Sequence, residues 1–244
     1  MSRKARRYDI TNNEEDMVTR KTWSLHDLKN IKPLTSTQEE MVHTFLNGQN
    51  VCAYGSAGTG KTFLSVYLAL NEILNPNTKQ HYIILVRSVV PTREVGYLPG
   101  TLEEKIALYE APYHDIFAEI VGRGSTYKDM KDAKKVKFVT TSFIRGLTWN
   151  NAVIIIDEAQ NMTMHELNSI LTRVGINTRI IVAGDIQQSD IMHKTNGSGC
   201  GMAQFLKIID NMREFEKIQF TTHDIVRSAF VKSWIIACEQ TVNL

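Results

Sequence analysis

Four short runs of this chain are apolar with little or no alternation: Asn50 to Tyr54, Tyr82 to Val86, Ala152 to Ile156 and Arg179 to Ala183. Continuous apolar runs of this length read as strands buried on both faces. Lys137 to Thr140 and Ile218 to Thr221 read as two further strands. Between them the spacing turns helical. Met41, Val42, Phe45 and Leu46 share one face of a helix that follows Pro33 to Gln38, and Phe63 to Leu70 contains no helix breaker. Thr101 answered by Glu104 opens a mixed helical stretch to about residue 121. Thr163 answered by Glu166 opens another, with Gly175 as its expected stop. Met202 to Ile209 and a closing segment with Phe230, Trp234 and Ile235 complete the helices. Strands of this kind separated by helices predict an α/β fold, a parallel β-sheet flanked by helices on both faces. Residues 1–30 are polar and mixed in charge, and read as a loosely ordered arm before a single domain over 31–244.

Composition narrows the class. At 43% hydrophobic and 22% charged, the 244 residues are ordinary for a soluble globular protein. The net charge of +2 is too small, taken globally, to argue for nucleic acid. Its distribution says more: Arg3, Lys4, Arg6 and Arg7 form one basic cluster, and Arg123, Lys128, Lys131, Lys134, Lys135 and Lys137 a second. Either could track phosphates, and either could be a solvated surface. Cys52, Cys200 and Cys238 are odd in number, widely separated and without metal-ligand spacing, which fits a reducing, cytoplasmic compartment. The longest apolar runs are strand-length, so no membrane span is expected.

The chemistry concentrates in residues 55–62, Gly55-Ser56-Ala57-Gly58-Thr59-Gly60-Lys61-Thr62, a phosphate-binding P-loop set between a strand and a helix. That arrangement aims backbone N–H groups and a helix N-terminus at a polyphosphate. Gly55, Gly58 and Gly60 allow the close approach, Lys61 reaches the β- and γ-phosphates, and the Thr62 hydroxyl is placed to ligate Mg²⁺. Asp157-Glu158-Ala159-Gln160 follows directly on the most apolar strand. Its position assigns Asp157 to the metal and Glu158 to an attacking water, because phosphoryl transfer depends on positioning and charge neutralisation. Gly184-Asp185-Ile186-Gln187-Gln188 follows the next strand, so Gln188 can report the γ-phosphate.

Together with Gln38, Val86-Arg87-Ser88, Gly96 to Gly100, Ser142 to Thr148, Leu171-Thr172-Arg173, Asp190 and Asp224 to Arg227, these residues resemble the PhoH family from about residue 33 to the C-terminus. The resemblance implies a RecA-like P-loop NTPase fold, similar to the first motor domain of superfamily 1 helicases. It implies an ATPase that uses ATP and Mg²⁺, and short members of the family occur in bacteriophages. Gln38 takes an adenine-contacting role by resemblance, Gln188 that of γ-phosphate sensor, and Arg87 and Arg145 face nucleic acid. Two departures stand out: Ser56 replaces the usual proline of the loop, and Ser228-Ala229 replaces the usual His-Pro after Arg227. A helicase draws its transition-state arginine from a second motor domain, which this chain does not contain. Arg227 reaching across to a neighbour in a homo-oligomer, such as a hexameric ring, would supply it. The leading expectation is an ATPase acting on RNA or single-stranded DNA. Two alternatives are a nucleotide-gated switch with little hydrolysis and a P-loop nucleoside kinase, although the latter's cysteine pairs are missing.

Overall fold

A computed structural model of the chain describes residues 22–88, 102–144, 146, 148–185 and 201–242. Six strands, β1 (Asn50–Gly55), β2 (Tyr82–Arg87), β3 (Val136–Thr140), β4 (Ala152–Asp157), β5 (Arg179–Gly184) and β6 (Phe215–Phe220), form one sheet in the order β3-β2-β4-β5-β1-β6. Each adjacent pair in it is parallel. Parallel strands need long crossovers, and helices supply them. These are α1 (Ser36–Leu46), α2 (Lys61–Leu74), α3 (Leu102–Val121), α4 (Thr126–Asp132), α5 (Met164–Leu171), α6 (Gly201–Ile209) and α7 (Ala229–Val242).

Strand side chains alternate between the two faces, and both faces are covered. Val153, Ile155, Ile83 and Leu85 pack on one side with Met41 and Phe45 of α1, the apolar stripe of α2, and Tyr113 and Phe117 of α3. Ile154, Ile156, Ile84 and Val182 pack on the other with Leu167 and Ile170 of α5 and Met202, Phe205 and Ile209 of α6. Burial on both faces is why β2, β4 and β5 are apolar at every interior position. The edge strand β6 behaves differently: Glu216, Lys217 and Gln219 are exposed between buried Phe215, Ile218 and Phe220. At the amino ends of the strands, Arg179 ties three elements together. Its guanidinium lies 3.7 Å from the Phe45 ring centroid, pairs with Glu72 at 3.2 Å and donates to the Gln49 carbonyl at 2.9 Å.

The packed chain begins ahead of residue 31, since Trp23 and Leu28 pack on the core and the Lys29 N–H donates to the Ile120 carbonyl at 2.9 Å. The second basic cluster contains α4. Its Tyr127 is fully buried, edge-on to Phe117 with ring centroids 5.2 Å apart. One lysine of the second basic cluster, Lys131, pairs with the nearly buried Glu110 at 2.6 Å. Trp149 is a buried core residue. Among the described residues no helix is long and apolar enough to cross a membrane.

Gly175 does not stop the helix that Thr163 and Glu166 open. That helix ends at Leu171, and Gly175 instead donates its N–H to the Trp149 carbonyl at 2.7 Å. A Cβ there would sit 2.0 Å from Asn150 Oδ1 and 2.7 Å from the Trp149 oxygen. Gly175 is therefore a packing requirement between two segments. Gly175→Ala is expected to destabilise by about 1–3 kcal/mol through forced displacement. Thermal melting should show a fall of several degrees, whereas a simple helix stop without a left-handed backbone would tolerate alanine.

Candidate nucleotide-binding site

The sheet order puts β5 between β1 and β4, so the loops after these three strands meet at one carboxyl edge. There a cavity of about 650 Å³ is lined by Gln38, Ala57 to Leu64, Asp157, Glu158, Gln160, Gly184, Asp185 and Arg227, with Pro112, Asp115, Ile116 and Glu119 of α3 opposite. The P-loop, Asp157, Glu158, Gln38 and Arg227, widely separated in sequence, are thus brought together. Gln188, Asp190, Arg145 and Gly96 to Thr101 lie outside the described residues.

The loop is shaped by its glycines and its neighbours. Gly55 has φ of 115°, and a Cβ on it would fall 2.0 Å from the Phe220 carbonyl oxygen, so β6 can approach only a glycine. Gly60, at φ 83°, caps α2 at its N-terminus. Thr59 Oγ1 donates to the Ser56 carbonyl at 3.1 Å, and Lys61 Nζ donates to the Gly55 and Ser56 carbonyls, each at 2.7 Å. Burial lowers the Lys61 pKa, opposed by the charges of Asp185, Glu158 and Asp157.

Thr62 Oγ1 donates to Asp157 Oδ1 at 2.8 Å, which joins the start of α2 to the end of β4. Mg²⁺ keeps most of its ligands as water and substrate phosphate and takes one or two from protein, so the pair fits that ion. Among the described residues no group of three or more His, Cys, Asp or Glu gathers to hold a metal by itself. The other Asp157 oxygen, Oδ2, accepts from Tyr113 Oη at 2.7 Å. Burial and the neighbouring Asp157 charge push the Tyr113 phenol well up, which keeps it a donor.

Glu158 stands in the left-handed region, φ 52° and ψ 43°, which is strained for a residue with a Cβ and turns it out of the strand line. Its Oε2 accepts from Gln160 Nε2 at 2.5 Å, and its Oε1 lies 3.8 Å from Arg87 Nη2. Burial, and next the Asp157 charge, raise its pKa, while Arg87 and the Gln160 hydrogen bond pull the other way. Gln160 also accepts from the Asp185 N–H at 2.9 Å, so one buried amide links the ends of β4 and β5. Arg87, expected to face nucleic acid, points in part at Glu158 and lies 6.0 Å from the Tyr109 ring centroid.

Gln38 and Arg227 both border the cavity. Gln38 is buried with both amide atoms engaged within the chain: Nε2 donates to the Thr59 carbonyl at 2.9 Å, and Oε1 accepts from the Leu34 N–H at 2.8 Å. It braces the P-loop against the segment before α1. Arg227, expected to reach a neighbour's site, lines the cavity of its own chain. Its Cγ lies 3.1 Å from where a Cβ on Gly58 would be, and the adjacent Val226 N–H donates to the Gly58 carbonyl at 3.1 Å. Ile235 of α7 reaches the same glycine, while Phe230 and Trp234 of that helix are exposed.

Sequence reasoning gave no role to Tyr113 or Gln160. Tyr113 reads as one more apolar position of a helix, since nothing in its spacing reveals a carboxylate partner 44 residues away. Gln160 sits inside the Asp157 motif, and only the fold discloses that it bridges to β5.

Fold and site define a P-loop nucleotide-binding domain with a RecA-like sheet. The profile of the PhoH-like protein family matches residues 30–239, and the chain belongs to that family. It is 32% identical over 213 residues to the PhoH-like protein of Bacillus subtilis, covering 87% of this chain and 65% of that one. It is 31% identical over 222 residues to Protein PhoH of Escherichia coli, covering 89% and 59%. The chain thus spans less than two thirds of the length of these relatives. Among solved structures, a large terminase of a thermophilic bacteriophage in complex with ADP superposes with a TM-score of 0.51 at 13% identity, over 83% of this chain and 49% of that one. At that identity the likeness carries the fold alone.

Because Gln38 grips the loop itself, Gln38→Ala should weaken nucleotide binding whatever the base. Loss of about 1–2 kcal/mol of buried hydrogen bonding corresponds to roughly tenfold in affinity. Fluorescent-analogue competition should show comparable losses for ATP and GTP; a role confined to adenine would spare GTP.

Proposed function

We propose that the chain is a Mg²⁺-dependent ATPase whose cycle acts on RNA or single-stranded DNA. The observation that carries the hydrolytic reading is the Thr62–Asp157 contact at 2.8 Å, with Glu158 beside it in one cavity. The P-loop N–H groups and Lys61 would cradle and neutralise the β- and γ-phosphates. Thr62 and Asp157 would hold Mg²⁺, which when bound supplies charge neutralisation between those phosphates. Glu158 would orient the attacking water and accept its proton. Arg227, on the rim of the same cavity, would meet the charge that develops on the transferring phosphoryl group. Gln188 would sense the γ-phosphate, and Gln38 would hold the loop and border the adenine.

The nucleic-acid part rests on the family's similarity to a helicase motor domain. Arg87 at the carboxyl end of β2, with the aromatic ring of Tyr109 near it, is consistent with that use. Arg227 lining its own cavity supports a complete site within one chain, so assembly into a homo-oligomer would serve the polynucleotide rather than complete the chemistry.

Steady-state phosphate release from ATP and Mg²⁺, with and without single-stranded RNA and DNA, tests the reading. Turnover is expected, stimulated by a polynucleotide, and Glu158→Gln should lower it by on the order of 10²–10⁴. Negligible turnover with ATP still bound would instead establish a nucleotide-gated switch.

Arg227→Ala should cost on the order of 10³ in kcat. Mixing Arg227→Ala chains with Lys61→Ala chains separates the two geometries. If Arg227 serves its own cavity, the mixture stays inactive; restored turnover would place the arginine in a neighbour's site.

A further inference from the structure

We infer that Tyr113 is a positioning residue for the metal carboxylate Asp157, and that its hydroxyl sets how tightly this site takes a divalent cation. The inference rests on the reading of Thr62 and Asp157 as the metal-holding pair. Asp157 is only 3% exposed, and each of its oxygens has a separate donor, Thr62 on Oδ1 and Tyr113 on Oδ2. A divalent ion held by Thr62 and Oδ1 would take a lone pair that the Thr62 hydroxyl keeps free while it donates to Oδ1. Oδ2 is engaged by a different donor. The Tyr113 hydroxyl can stay on it throughout, fixing the plane of the carboxylate and leaving one oxygen for the ion.

Tyr113 is itself rigidly placed. It is fully buried, and its only side-chain hydrogen bond among the described residues is the one to Asp157. Its ring stacks on Tyr127 at 6.5 Å and leans on Phe138 at 5.9 Å, so α3, α4 and β3 together aim one hydroxyl. Without that donor Oδ2 is a buried acceptor with nothing to accept, and the carboxylate can rotate away from a single-oxygen geometry. Groups that orient a metal ligand typically account for 10–100-fold in metal affinity. Because Pro112, next to Tyr113, and Ile116, one turn further on, line the cavity, the position of α3 is coupled to both nucleotide and metal.

The test is electron paramagnetic resonance titration of the whole chain with Mn²⁺ in the presence of ADP. Wild type is compared with Tyr113→Phe, Tyr127→Phe and Asp157→Asn. Phenylalanine keeps every ring contact, and ADP affinity in EDTA reports whether each variant retains the nucleotide site. Tyr113→Phe should bind Mn²⁺ about tenfold more weakly. Its Mg²⁺ requirement for phosphate release should rise, with kcat at saturating Mg²⁺ near that of wild type. Tyr127→Phe, which deletes a buried hydroxyl with no bond to Asp157, should match wild type in Mn²⁺ affinity. If Asp157→Asn loses Mn²⁺ while Tyr113→Phe binds it as wild type does, the positioning role is wrong and the metal assignment stands. If Asp157→Asn also binds Mn²⁺ normally, the metal assignment fails and the role of Tyr113 with it.

Discussion

The placement of β5 between β1 and β4, all parallel, is the constraint on which the rest depends. Strands buried on both faces must share a direction with crossovers outside, and each then delivers its carboxyl end to the same edge. Adjacent strands lie about 4.8 Å apart, so the ends of β1 and β4 are separated by about 10 Å. That gap is one that a P-loop threonine and a strand-terminal aspartate can close, and Thr62 and Asp157 do close it. On the far side of β1, the Phe220 carbonyl comes so near Gly55 that any side chain there would collide with it. The sheet therefore fixes the loop from two sides at once.

Around this frame the charged groups are held by partners from other elements. Asp157 of β4 meets α2 through Thr62 and α3 through Tyr113. Glu158 meets β2 through Arg87 and, through Gln160, the end of β5. Desolvation, and next the charge of the adjacent buried Asp157, raise the Glu158 pKa. Lys61 and Arg87 offset part of that rise. Lys61, Arg227 and the P-loop together line the cavity beside these carboxylates.

Arg227 and α7 illustrate how a motif can be legible and its geometry not. The motif marks the arginine without showing which site it borders. In three dimensions the segment from Asp224 leads straight off β6, whose register with β1 brings its end beside the P-loop. Gln38 follows the same logic. Its family role concerns the base, while its observed bonds hold the loop backbone.

What the sequence determined by itself was local. Continuous apolar runs identified the strands, because burial on both faces leaves no room for alternation, and the Gly-rich loop before Lys61-Thr62 announced its ligand because only glycines permit that backbone. Asp157 and Glu158 were readable from their place at a strand's end. Edge strand β6 and helix α4 were less so, since half-exposed elements carry polar residues that blur the pattern. Only the tertiary structure decided that Tyr113 serves Asp157, that Gln160 joins two strand ends, that Gly175 fills a gap beside Trp149, and that Arg227 turns to its own loop. Each of these depends on a contact between residues distant in the chain, and the spacing of residues along a chain does not encode which distant atoms packing will bring within a hydrogen bond.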